Sequence, residues 1–126
     1  MLNHSITNHF FAFAGLGLVG TIIHYLILLF LVHFSFKSPL IVSTLGFSAG
    51  AATNYFLNYH VNFKSTKKHF SIFPKFLTIA AIGLIVNGSV ISILLTLGLH
   101  FSICQIISTS MVLLWNFIGN YFWTFK

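Results

Sequence analysis

Four long apolar runs alternate with short polar breaks along this chain. The first runs from Phe10 to Val32 and the second from Leu40 to Tyr59. The third runs from Phe76 to Leu97 and the fourth from Ser102 to Phe122. Each is near the roughly 20 residues that a helix needs to cross about 30 Å of hydrocarbon. In lipid a backbone group must find its partner within its own segment, so these runs predict helices rather than strands. The breaks lie at His33 to Pro39, Lys64 to Lys75, and Gly98 to His100. The expectation is an all-α integral membrane protein, one domain over residues 1–126. It has four transmembrane helices, at 10–32, 40–59, 76–97 and 102–122, and a loop at 64–75.

Composition agrees. Of the 126 residues 57% are hydrophobic and only 5% are charged, too few to cover a water-facing surface. Aspartate and glutamate are absent, so no carboxylate general acid or base, carboxylate metal site or Ser-His-Asp triad can be built. The lone Cys104 cannot form an internal disulfide and reads as packing. The first run is too long for a signal-peptide core and has no lysine or arginine before it, so it is expected to be a retained helix.

All six cationic side chains are lysines. With four spans, one side of the membrane holds Lys64, Lys67, Lys68, Lys75 and Lys126, and the other holds only Lys37. The positive-inside rule then puts both termini and the 64–75 loop in the cytoplasm. The basic charge therefore points to membrane lipid phosphate and not to nucleic acid.

The chain repeats itself. Offset by 62 positions, "NYFLNYHVNFK" from Asn54 to Lys64 matches "NFIGNYFWTFK" from Asn116 to Lys126 at Asn, Asn, Tyr, Phe and Lys. Offset by 63, Phe13, Gly20 and His24 meet Phe76, Gly83 and Asn87. The pattern predicts two like helical hairpins, parallel repeats that each start and end on the cytoplasmic side. In the second helix Gly46, Gly50, Asn54, Asn58 and Asn62 recur every four residues, as Ser108, Val112, Asn116, Asn120 and Thr124 do in the fourth. Such a row is a helix ridge. Its glycine end permits close helix contact, within the chain or between chains, and its amide end lies toward the lysines.

Two readings of the amides stand side by side. They could bond across helices as glue, at about 0.6 to 2 kcal/mol each. They could instead line a polar pocket that opens to the cytoplasm. His24 and Asn87 occupy equivalent mid-helix places, and a histidine there should be neutral and hydrogen-bonded or near water. His4, His9, His33, His60, His69 and His100 lie at or beyond helix ends without the paired spacing of metal ligands. No cofactor is expected.

The doubled Asn-aromatic-x-x-Asn stretch ending in Phe and Lys, together with Gly17-Leu-Val-Gly-Thr21 and His24, resembles the GtrA-like membrane proteins over nearly the whole chain. The resemblance implies flipping of a polyprenyl-phosphate-linked monosaccharide, such as undecaprenyl-phosphate-glucose, across the bacterial inner membrane. The sugar would then modify cell-envelope polysaccharide. A membrane glycosyltransferase is the implied partner. The resemblance departs at His24, where many members carry an acid. On this reading the substrate-binding residues are Asn54, Asn58, Asn116, Asn120, Lys64, Lys126, His24 and Asn87. The lysines would recruit phosphate and the amides would replace water around the sugar. A chain of 126 residues also suggests a symmetric homo-oligomer.

A small multidrug-resistance-type antiporter is the competing transporter class, but it needs a membrane glutamate that this chain lacks. A non-transporting subunit that anchors or stabilises a polyprenyl-phosphate glycosyltransferase is the alternative. No nucleophile, base and orienting group can be assembled, so an enzyme is not expected.

Overall fold

A computed structural model describes the backbone of residues 3–34 and 39–126, and the side chains of 5–34, 45–46 and 48–126. Every regular element in these residues is helical. Helix α1 spans Asn3–His33 and α2 spans Pro39–Leu57. Helix α3 spans His69–Thr96 and α4 spans Phe101–Gly119. α2 and α4 each run on into one π-helical turn, Asn58–Asn62 and Asn120–Thr124.

Local chemistry sets the ends. Proline at the start of α2 has its ring-fixed φ in the helical range and no N–H to leave unpaired. α3 stops where Gly98 takes φ +81°, the left-handed conformation that glycine adopts freely. His100 then caps α4, its Nδ1 accepting the Ser102 backbone N–H at 3.2 Å. Lys37 and most of the first connection lie outside the described residues.

Two boundaries differ from the sequence expectation. α1 begins at Asn3, ahead of Phe10, because its polar first turns still form helix. The 64–75 loop is shorter than expected, because α3 begins at His69 and carries Pro74 inside it. Proline suggests a helix boundary. Here it falls early in a long helix, where it removes a single ladder bond, and buried Ile72 and Phe76 on either side hold the segment in place.

The chain forms two compact units, Met1–Ser65 and Thr66–Lys126, each one hairpin. α1 packs on α2 in the first and α3 on α4 in the second. Their surfaces are inverted relative to a soluble protein. Leu26, Leu29, Phe30, Leu84, Ile85 and Ile106 are exposed, while Asn58, Ser108, Asn120 and Thr124 are buried. Water would oppose that distribution and lipid favours it. Among the described residues three helices are long and apolar enough to cross a membrane, Ser5–His33, His69–Thr96 and Phe101–Thr124. The protein is a multi-pass integral membrane protein.

Candidate functional site

The glycine end of the α2 ridge packs inside its own hairpin. A Cβ on Gly50 would lie 2.7 Å from the Gly20 carbonyl oxygen, and one on Gly20 would lie 2.8 Å from the Gly50 oxygen. The two backbones touch there, so only glycine fits. One turn earlier in α2, Gly46 makes room for His24, whose Cδ2 would be 2.8 Å from a Cβ at that position. His24 is thus packed against the small-residue half of α2.

The amide end continues as a hydrogen-bonded row. Asn58 Nδ2 donates to the side-chain oxygen of Asn54 at 2.7 Å and to its carbonyl at 2.9 Å. Asn62 Nδ2 donates to Asn58 Oδ1 at 3.0 Å and to the carbonyl of His9 at 3.1 Å. The Nδ1–H of His9 closes the row by donating to Asn62 Oδ1 at 2.8 Å. The His9 ring in turn lies flat on Phe63, with centroids 5.2 Å apart. Every amide oxygen in this row has a donor. In the first hairpin the asparagines tie α2 to itself and to α1.

The second hairpin repeats the layout but not the bonding. Asn120 Nδ2 donates to the Asn116 carbonyl at 2.7 Å. Asn116 Oδ1 lies over Gly83, 2.8 Å from where a Cβ would be. Asn116 Oδ1, Asn120 Oδ1 and Thr124 Oγ1 are buried with no hydrogen-bond partner among the described residues. One part of the difference, the unserved Asn120 Oδ1, traces to a single position. Asn62, whose Nδ2 serves Asn58, is Thr124 in the second repeat, and no donor reaches Asn120 Oδ1. An unpaired buried polar group costs about 1–3 kcal/mol, so three along one helix edge is a large departure from the usual rule.

Asn87 is placed apart from these acceptors. Ser108 Oγ reaches its side-chain oxygen at 2.7 Å and its carbonyl at 3.1 Å, joining α3 to α4. Trp115 Nε1 adds a second α3–α4 bond to the Ile79 carbonyl at 3.0 Å. The structure therefore groups Asn54 with Asn58, and Asn116 with Asn120. It sets His24 and Asn87 at helix-packing contacts further along each hairpin.

The π turns lie where the repeats are most alike. The Phe63 N–H reaches back five residues to the Asn58 carbonyl at 2.8 Å, and the Phe125 N–H reaches the Asn120 carbonyl at 2.9 Å. At each junction an asparagine amide donates to the carbonyl four residues back, Asn58 to Asn54 and Asn120 to Asn116. Both turns close the C-terminal ends of their helices, where wider turns commonly satisfy the last carbonyls. The ring pairs repeat too: Tyr55–Tyr59 at 6.0 Å and Phe117–Tyr121 at 5.5 Å. Sequence reasoning missed the π turns, the closing role of His9 and Asn62, and the open Thr124. The nearest signal was the change from Asn62 to Thr124 within an otherwise matched row.

The lysines close the picture. Lys64 follows the first π turn with φ +46°, while the Ser65 N–H bonds the Tyr59 carbonyl at 2.9 Å. A left-handed conformation costs a side-chain-bearing residue about 1–2 kcal/mol, and helix ends usually give it to glycine or asparagine. Lys126 is exposed at the corresponding end of the second repeat. Lys75 Nζ sits 5.7 Å from the Trp123 ring centre, a cation–π contact. Among the described residues no three metal-ligating side chains stand together.

A comparison with curated proteins gives no match. Residues 12–125 match the family described as GtrA/DPMS, transmembrane domain. That span takes in both glycine contacts, both amide rows and both π turns. The chain belongs to the GtrA/DPMS transmembrane-domain family.

Proposed function

We propose that this protein moves the head of a polyprenyl-phosphate-linked monosaccharide, such as undecaprenyl-phosphate-glucose, across the bacterial inner membrane. The lipid tail stays in the bilayer and only the phosphate and sugar need a path. The observation that carries the reading is the set of buried polar atoms without partners on α4 and the π turn that follows it, Asn116 Oδ1, Asn120 Oδ1 and Thr124 Oγ1. A sugar brings several hydroxyl donors and no charge, which suits acceptors held out of water. The phosphodiester needs cations, and the lysines that end both repeats supply them. The family match and the lipid-type exterior support the same reading.

On this reading all four helices cross the membrane, with both termini cytoplasmic. The working form is a symmetric homo-oligomer beside the glycosyltransferase that loads the lipid. The test is reconstitution. Purified protein in liposomes is supplied with lipid-linked sugar on one face, and its arrival on the other is followed with an impermeant reagent. The wild type should accelerate transfer, and Asn116→Leu with normal protein levels should abolish the acceleration. No acceleration by wild type, with stable co-purification of a glycosyltransferase, would favour an anchoring subunit and defeat the proposal.

A further inference from the structure

Gln105 is an amide among lipid-facing residues, in the second turn of α4. Phe101–Thr124 is 24 residues, long and apolar enough to cross a membrane. It rises about 36 Å against about 30 Å of hydrocarbon, an overhang of about 3 Å at each end. Gln105 stands about 6 Å from the start of α4 and Thr109 about 12 Å, so both lie below the hydrocarbon boundary. Ile103, Ile106, Ile107 and Met111 around them are exposed.

The direction of the amide matters. Helix side chains lean toward the N-terminal turn, which here leads to the nearer water. Gln105 does the opposite. Its Nε2 donates to Thr109 Oγ1, one turn deeper, at 3.2 Å in an exposed bond. An amide has two N–H donors and a carbonyl with two lone pairs. The bond to Thr109 uses one N–H, and among the described residues the side chain makes no other. Lipid tails serve neither the remaining N–H nor the oxygen. An amide held this way in hydrocarbon is satisfied by a partner on another helix.

Two considerations identify that partner. An amide is its own complement, since the free N–H of one meets the free oxygen of another. Copies of one chain also lie in the membrane the same way up. About a two-fold axis along the membrane normal, each residue meets its own equivalent at the same depth. A different protein would need a matching polar group at that depth, whereas a second copy carries one already. We infer that the exposed Gln105–Thr109 face of α4 is the contact between two copies of this chain, with the two Gln105 amides donating to each other across the axis. The inference rests on the proposed homo-oligomer and names its contact.

The test is cysteine crosslinking in native membranes, on a Cys104→Ala background. Gln105→Cys and Thr109→Cys each place a thiol at the contact. Ile107→Cys is the control, exposed as well but about 200° further round the helix from Gln105. Oxidation should give a covalent dimer with Gln105→Cys and Thr109→Cys, and about tenfold less or none with Ile107→Cys. Self-association with native Cys104 is read by energy transfer between labelled copies in liposomes. Gln105→Leu should weaken it about tenfold or more, and Ile107→Leu should leave it near wild type. Helical content, which a folding defect would lower, should match wild type in both. Equal crosslinking at all three positions, none at any, or crosslinks only to a different protein overturns the contact. Wild-type association that Gln105→Leu does not weaken overturns it too, and leaves the homo-oligomer standing on another face. A wild type that stays monomeric at every protein-to-lipid ratio removes both. If Gln105→Leu associates normally but moves sugar slowly in liposomes, the contact falls and Gln105 belongs to the path of the sugar. If Gln105→Leu is monomeric and moves sugar as wild type does, the contact stands and transport needs no oligomer.

Discussion

Asparagine does two separate jobs in this protein, one with each end of its amide. The Nδ2 groups of Asn58 and Asn120 bond a helix carbonyl where α-helix gives way to π turn. The Oδ1 groups differ, for Asn58 is served by Asn62 while Asn120 has no donor. Leucine at the two sites should therefore cost unequal amounts. Asn58→Leu removes three hydrogen bonds and strands part of Asn62, so a loss of about 2–3 kcal/mol is expected. Asn120→Leu removes one bond and one unpaired acceptor, and should cost under about 1 kcal/mol. Unfolding in detergent of the two variants side by side checks this, and equal losses would refute the assignment. The sequence shows that amides are present and how they are spaced. It does not show which oxygen is served, because that depends on Asn62 and on His9, 53 residues away.

Helices were legible because apolar length and the lipid constraint leave few alternatives. Their contacts were legible in part, since glycines four apart suggested a close approach and the structure puts that approach at Gly20 and Gly50. The π turns were not legible, because a change of hydrogen-bond register leaves no mark in the hydrophobic pattern. The start of α3 was not legible either, because the apolar run begins at Phe76 while the helix reaches back through Pro74 to His69, held by buried Ile72, Phe76 and Ile79. At this scale the glycines give a graded prediction. Gly20→Ala and Gly50→Ala drive a methyl against a backbone oxygen that cannot swing away, and should cost about 1–3 kcal/mol. Gly88→Ala meets nothing and should gain up to about 1 kcal/mol from helix propensity. Thermal unfolding reads both, and a neutral Gly50→Ala would contradict the touching backbones.

For the molecule as a whole, the two hairpins share a design and differ in how far it is completed. In the first, the amide row is closed and binds α2 to α1. In the second, equivalent acceptors are buried and open. The glue role describes the first repeat, whose amides tie α2 to α1, while the second repeat leaves three buried polar atoms without a partner among the described residues. The lysine distribution predicts that a reporter fused after Lys126 is active only in the cytoplasm. Activity on the far side would reverse the proposed orientation. The sharpest measurement uses Thr124→Asn, which gives the second repeat the residue that closes the first. Its Nδ2 should reach Asn120 Oδ1 as Asn62 reaches Asn58. Stability should rise by about 0.6 to 1 kcal/mol while sugar-lipid transfer in liposomes falls about tenfold or more. A variant that is more stable and transfers sugar as fast as wild type would contradict the claim that the open acceptors on α4 are where the sugar binds.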